Sequence, residues 1–386
     1  MDISLFAEIM NDKNFKNFNK LKYKYADVFP EFLENLKELY CKEVELYDFS
    51  GRKIVYLPDC APVSQKAAKL LFSSKGSLYG MKAAEEEIAA SSAIENIDFS
   101  RDSIRNILKG LAPEDEEENR ILGQKNGLQF ISDTGNKITE ENIFRLYMMT
   151  VGDFLDEENS LKKGNYYRHD SVFVMSNRLE HSGADFRKLP EYMKSFVEFI
   201  NADDDINDLQ KAAIIHFYFA YIHPYFDGNG RMARLMHLWF LIQRGYEATL
   251  FVSFSSMIKK SKKEYYQAFT LVEENSRISS WTDVTPFISY FSEYVYSRIV
   301  KEEEIYDSLT VYKAALKDGI ITEKEKHLWS FVLSRYGKNE FSTKMLESDY
   351  GDVAYATVRS FVLKFEKLGL LASKKYKNRT KYSIIG

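Results

Sequence analysis

Apolar residues recur at helical spacing along most of this chain. From Asp205 to Tyr221 they fall at Ile206, Leu209, Ala213, Phe217 and Ala220, and from Arg231 to Arg244 at Leu235, Leu238, Trp239 and Ile242. Two helices joined by a loop are expected there, with the loop opening the second helix. Further helices are expected over Pro30–Tyr40, Ser64–Phe72, the Ala- and Glu-rich Met81–Ile97, Thr139 (as N-cap) to Met149, Ser261–Glu274 and Asp283–Val300. Alternation is confined to short runs: Val44–Leu57 around Ser50-Gly51 predicts a small hairpin, and Ser171–Met175 a strand that returns near His181–Phe186. Glu114–Glu118 reads as a solvated loop or helix start, and Gln124–Phe130, with glycines nearby, as a loop. From Thr322 the composition shifts. Helices over His327–Tyr336, Thr343–Ser348 and Val353–Leu368 precede two strands around a basic turn in Leu370–Ile385. The fold class is therefore mainly α. It divides into an arm with a small hairpin (1–80), a helical region (81–110), a central helical domain with a β-hairpin (111–305) and a C-terminal α+β domain (320–386).

Composition narrows the picture only a little. With 386 residues, 45% hydrophobic and 28% charged, the chain is long enough for two or three globular domains with a sizeable core. A net charge of −4 supplies no global attraction to nucleic acid or to an anionic membrane. Cys41 and Cys60 fit no metal spacing and call for no disulfide, so a reducing cytoplasm is the expected setting. There is neither a signal peptide nor an apolar run of membrane-spanning length, and no membrane partner is expected.

Chemistry concentrates in the loop between the two central helices, His-Pro-Tyr-Phe-Asp-Gly-Asn-Gly-Arg-Met-Ala-Arg from His223 to Arg234. Gly228 and Gly230 allow backbone angles that let successive N–H groups curl around an anion, and the following helix points its positive end at the same spot. Arg231 and Arg234 share one face of its first turn. Asp227 would be repelled by bare phosphate, which suggests a bridging magnesium ion. His223 has a side chain suited to taking a proton from a hydroxyl. Gly-Asn-Gly by itself is a common turn, and a histidine after an apolar helix is commonly structural. Two arginines in a first helical turn, where the dipole disfavours cations, argue instead for an anionic ligand.

The stretch resembles the signature of the Fic family, His-x-Phe-x-Asp/Glu-Gly-Asn-Gly-Arg-x-x-Arg, with Tyr225 where Phe is usual. The resemblance implies AMP transfer from ATP to a Ser, Thr or Tyr hydroxyl of a protein. It implies His223 as general base and Asp227 as magnesium ligand. Gly228, Asn229, Gly230 and Arg231 would cradle the α- and β-phosphates, and Arg234 would partner the γ-phosphate. Upstream, Ser91-Ser92-Ala93-Ile94-Glu95-Asn96 ends a helix and resembles the family's inhibitory motif, Ser/Thr-x-x-x-Glu-Gly/Asn. It implies that Glu95, with Ser91 and Asn96 framing it, competes with the γ-phosphate for Arg234. The run containing Val172, Phe173 and Val174 resembles the family's flap, which covers nucleotide and aligns a target segment along its edge. Tyr265 and Tyr266 resemble residues that hold the adenosine end, and Asn275 is a weak match for an asparagine expected there. His169 and His181, flanking the hairpin, have no partner at metal spacing and no catalytic role is expected of them, while His216 and His237 lie inside helices and are expected to be packed or surface residues.

The last three helices and hairpin look like a winged helix. Lys374, Lys375, Lys377, Arg379 and Lys381 around its turn admit DNA as a partner. A protein-binding role is favoured, because the expected recognition helix (Tyr355–Lys364) offers only Arg359 and Lys364 as basic groups. A homodimer is compatible with the chain. Three other readings remain open: a Fic enzyme using a different nucleotide, one removing AMP, and a DNA-binding regulator with a nucleotide-sensing domain.

Overall fold

A computed structural model describes residues 1–72, 80–175, 179–299, 311–337, 339–351, 353–376 and 379–385; of residues 174, 175 and 179–181 it describes the backbone alone. The chain forms two compact units, Met1–Arg298 and Ile299–Gly386.

In the first unit the N-terminal arm contains α1 (Ile3–Met10), α2 (Phe18–Lys24), α3 (Phe29–Tyr40), β1 (Lys42–Tyr47), β2 (Lys53–Tyr56) and α4 (Gln65–Phe72). The first two helices did not stand out in the sequence. They are short, eight and seven residues, and each starts on a side-chain cap, Asp2 accepting from the Ser4 N–H and Asn17 from the Lys20 N–H. Their apolar sides close a small core of Phe6, Ile9, Phe18, Leu21, Phe29, Phe32 and Leu36. The arm is sewn to the rest of its unit by main-chain bonds between Val55 and the Thr282–Val284 segment.

Next come α5 (Met81–Ile94), α6 (Arg101–Leu108), α7 (Glu116–Ser132) and α8 (Glu140–Thr150). The loop expected over Gln124–Phe130 is in fact the second half of α7. Its glycines serve close packing of one helix on another: a Cβ at Gly123 would lie 2.5 Å from the Met149 carbonyl, and one at Gly127 2.3 Å from Thr150 Cγ2. Gln124 then reaches across to donate to the Thr150 carbonyl at 2.8 Å. The acidic run turns out to be the first turn of α7, capped by Asp115, where carboxylates face the positive helix end.

A hairpin, β3 (Phe173–Met175) with β4 (Leu179–Ser182), leads to α9 (Leu189–Asn201) and then to the central pair, α10 (Asp208–Ile222) and α11 (Asn229–Gln243). Both central helices are buried on nearly every face, as expected of helices apolar all round. Their polar members each find a partner. Lys211 bonds Asp204 at 2.8 Å and the Ala202 carbonyl at 2.9 Å, His216 meets the Tyr265 hydroxyl at 2.8 Å, and His237 meets that of Tyr296 at 3.2 Å. α12 (Phe254–Lys260), α13 (Lys262–Ser279) and α14 (Thr285–Tyr290) close the unit, α14 widening into a π-helical turn at Phe291–Tyr296.

The second unit holds a helical turn at 311–317, then α15 (Glu323–Arg335), α16 (Thr343–Tyr350), α17 (Tyr355–Lys367) and the hairpin β5 (Leu371–Tyr376)–β6 (Arg379–Ile384). Leu328, Val332, Leu346, Val358, Phe361, Val362 and Phe365 form its core, and Phe341 pairs with Tyr382 alongside the hairpin. Lys377, one of the basic residues read from the sequence, lies outside the described residues.

Candidate functional site

α10 ends at Ile222, and His223 caps it in the left-handed conformation, φ 54° and ψ 65°. A side chain bearing a Cβ adopts that conformation only at a cost of about 1–2 kcal/mol, so neighbouring contacts must hold it. The His223 N–H donates to the Phe219 carbonyl at 3.2 Å. Nδ1 lies 3.2 Å from the Ala220 carbonyl, which can only accept, so the ring proton is assigned to Nδ1 and the basic lone pair to Nε2.

Beyond Pro224, the Tyr225 ring is buried face to face on Tyr147, with centroids 3.5 Å apart. It fills the aromatic position of the loop, as the sequence suggested. Asn229 was expected to help cradle phosphate, but its side chain turns inward: Oδ1 accepts from the Tyr225 N–H at 2.9 Å and Nδ2 donates to the Tyr225 carbonyl at 2.8 Å. It staples the loop shut and offers a ligand only its main-chain N–H.

The two glycines have different reasons. Gly228 sits at φ 77°, and a Cβ there would lie 2.6 Å from Val151. Gly230 is ordinary helix; it is small because the Glu95 carboxylate approaches, with Oε1 only 2.3 Å from where a Cβ would be. Backbone freedom, expected for both, is needed only at the first. Gly228, the N-cap of α11, brings no side chain to cap the first turn, whose positive end suits an anion. Asp227 accepts from the Gly228 N–H at 2.6 Å and pairs with Arg231 at 3.0 Å.

Arg234 is 3% exposed, on the inward face of α11. Its Nε donates to Ser91 Oγ and its Nη2 to the Ser91 carbonyl, both at 2.9 Å, while Nη2 also meets Glu95 Oε1 at 2.8 Å. Among the described residues, Nη1 is buried without a partner. Burial alone would lower the guanidinium's pKa; Glu95 outweighs it and carries the group above its ordinary range. Arg231 goes the other way, its pKa lowered by burial against the pull of Asp227. Asn96 ends α5 at φ 61° and accepts from Lys262 Nζ at 3.0 Å.

Two residues of this region had no legible role in the sequence. Glu87, two turns before Glu95 on α5, is fully buried and accepts from Ser253 Oγ at 2.9 Å, from the Ser255 N–H at 3.0 Å and from the Ser255 hydroxyl, which ties α5 to α12. Burial pushes its carboxyl pKa up, against those hydrogen bonds. Arg168, before the hairpin, is equally buried, and its guanidinium donates to the carbonyls of His223, Asp170 and Ala184. Burial lowers it to about 10, which leaves it charged at neutral pH.

The hairpin is attached at its base to the loop. The Arg168 N–H donates to the Pro224 carbonyl at 3.0 Å and the Ala184 N–H to that of Ile222 at 3.1 Å. Val172 is half-buried and Phe173 exposed; the side chain of Val174 lies outside the described residues. Tyr265 differs from expectation. It is buried with its hydroxyl on His216, whereas Tyr266 is 41% exposed. Asn275 drops out as well, because its side chain is spent on the arm, bonding the Phe18 N–H at 2.9 Å and the Lys16 carbonyl at 3.0 Å.

Among the described residues no three His, Cys, Asp or Glu side chains gather as a metal cage. Asp227 is a single, half-exposed carboxylate, which suits magnesium, an ion that takes one or two protein carboxylates and completes its shell with phosphates and water. A cavity of about 620 Å³ between α7 and α8 contains none of the loop residues in its lining. No described helix is long and apolar enough to cross a membrane.

A mainly helical unit that sets a histidine, an uncapped helix start and two arginines on one loop is a candidate anion-handling centre. Across residues 137–241 this chain matches the Fic/DOC family. It is 25% identical over 183 residues to "Protein adenylyltransferase Fic" of Drosophila willistoni, a match covering 46% of this chain and 32% of that protein. Against the protein of the same name from Nematostella vectensis it is 26% identical over 242 residues, covering 59% and 52%. The chain thus spans between a third and about half of the length of these two relatives. A crystal structure of a Fic family protein from Desulfovibrio desulfuricans G20 overlays 84% of this chain and 97% of that one, at 17% identity and a TM-score of 0.49.

Proposed function

We propose that this protein transfers AMP from Mg-ATP to a Ser, Thr or Tyr hydroxyl of a protein, in the cytoplasm, and that Glu95 holds the reaction back. The relatives' name, protein adenylyltransferase, supports the reaction. The observation that carries the regulated form of it is the buried contact of Arg234 with Ser91 and Glu95, beside Gly230 at the head of α11.

His223 Nε2 takes the proton of the acceptor hydroxyl as its oxygen attacks the α-phosphorus. The bond from that phosphorus to the β-phosphate oxygen breaks, and pyrophosphate leaves. The main-chain N–H groups after Gly228, at the positive end of α11, hold the phosphate oxygens, and Arg231 balances their charge. Asp227, released from Arg231, would hold magnesium, which when bound neutralises charge on the phosphates. Arg234 would hold the γ-phosphate, and it can do so only when Glu95 withdraws. Phe173 and Tyr266 offer aromatic and apolar surface for the nucleoside.

The test is His223→Ala, made with Glu95→Gly so that activity is measurable. Transfer should be abolished while ATP affinity changes little, because the base acts on the hydroxyl and not on the triphosphate. Equal loss of both would make His223 a ligand-binding or structural residue. Mass shifts with each nucleoside triphosphate in turn test the choice of ATP.

A further inference from the structure

We propose that Arg168 is a positioning residue, one that locks the left-handed backbone of His223 to the base of the β3–β4 hairpin so that base and acceptor-aligning strand form one rigid body. This inference rests on the transfer reading above. Among the described residues Arg168 has no carboxylate within hydrogen-bond range, unusual for a cation 2% exposed. All three of its side-chain bonds go to main-chain carbonyls: Nε to His223 at 2.7 Å, Nη1 to Asp170 at 2.6 Å, and Nη2 to Ala184. Those three carbonyls belong to the strained residue at the end of α10, to the segment entering β3 and to the segment leaving β4. A planar fork of fixed geometry is suited to holding three backbone segments at once, which a lysine's single ammonium is not.

Gly183 is a second, independent sign that this junction is built to fit. A Cβ there would lie 2.8 Å from Arg168 Nη2, 2.9 Å from Val172 Cγ2 and 3.2 Å from His223 Cβ. The guanidinium, the hairpin strand and the histidine converge on one point, and only a glycine leaves room for them. The Arg168 and Ala184 N–H groups complete the junction by donating to the Pro224 and Ile222 carbonyls, on either side of His223. Arg168 touches none of the first-turn amides of α11. Its loss should therefore misplace the base relative to the acceptor while the phosphate site stays intact, and displacements near 1 Å can cost on the order of 10² in rate.

The experiment compares Arg168→Met, Arg168→Lys and Gly183→Ala, each in a Glu95→Gly parent, with the parent itself. Transfer rate, acceptor KM, ATP affinity and the histidine ring resonances of labelled protein are measured. The expected result is a fall in kcat of about 100-fold for Arg168→Met with ATP affinity within about threefold of the parent. Arg168→Lys and Gly183→Ala should fall between. The His223 line should shift or broaden in every variant while the lines of buried His216 and His237 stay put. Should Arg168→Met fail to fold, Arg168→Lys and Gly183→Ala carry the same comparison. An unmoved His223 line with unchanged kcat would overturn the proposal, as would ATP affinity, kcat and all histidine lines changing together, which marks general loss of packing. A Glu95→Gly parent that transfers nothing would count against the transfer reading alone, because the His223 line still decides the role of Arg168.

Discussion

Arg234 has contacts of two kinds, a neutral pair from Ser91 and a charged one from Glu95, and only the second duplicates a phosphate oxygen. A charge-assisted contact of this kind, with Arg234 buried and Glu95 about one-third exposed, is worth ~2–4 kcal/mol, enough for an activity change on the order of 10². Under the proposed inhibition, deleting the arginine would not release activity. The double variant Arg234→Ala/Glu95→Gly should transfer no faster than wild type, measured as AMP incorporation; a double variant as active as Glu95→Gly would mean that Arg234 does not hold ATP. The loop from His223 to Arg234 was legible because its chemistry is local, twelve consecutive positions with fixed spacing. What a residue's side chain does there was less legible. Asn229 and Gly230 looked like parts of one cradle, and only the folded chain separates a loop staple from a glycine that makes room for Glu95.

At the scale of elements, α10 and α11 bring two histidines into a core where neither can be charged cheaply. Burial holds His237 down to about 3 and His216 well below its ordinary value, with His237 and Arg234 adding to the effect at His216. A folded pKa below the unfolded one means that the unfolded chain binds the extra proton, so stability present above pH 6.5 is lost as pH falls toward 3. Buried Asp283, raised to about 6 by desolvation, runs the opposite way, so the histidine effect is read as a difference between two proteins. The stability advantage of wild type over His237→Phe should shrink by about 2 kcal/mol between pH 6.5 and pH 5, followed by denaturant unfolding. A gap that stays constant or widens would mean that His237 is not held neutral. These burial effects were beyond the sequence, where both histidines read only as packed or surface residues of their helices. α7 was misread for a related reason: Gly123 and Gly127 look like loop residues until Met149 and Thr150 are placed against them. Arg168 and Glu87 stayed silent because their partners lie tens to more than a hundred residues away.

For the molecule as a whole, charge is divided unevenly. Residues 311–386 carry fifteen Lys and Arg against eight Asp and Glu, a net +7 in a chain whose total is −4. That excess alone would favour nucleic acid. Placement argues otherwise. Lys364 pairs with Glu325 at 2.8 Å and Lys381 with Glu340 at 3.4 Å, and α17 exposes Tyr355 and Leu363 beside Arg359. A surface mixing large apolar groups with internally paired lysines suits a protein partner. The full chain should leave duplex DNA unretarded at low salt. Retardation that weakens steeply with salt and disappears in Lys374→Glu/Lys375→Glu would assign this unit to DNA instead.

Occupation of a phosphate-handling loop from within by Glu95 is tested most directly by the intact mass of the Glu95→Gly protein after incubation with Mg-ATP, beside wild type. The prediction is a gain of one or more adenylyl groups on the variant, with little or none on wild type. A variant that gains no more than wild type would contradict the account, leaving Ser91–Asn96 as no more than the end of a helix.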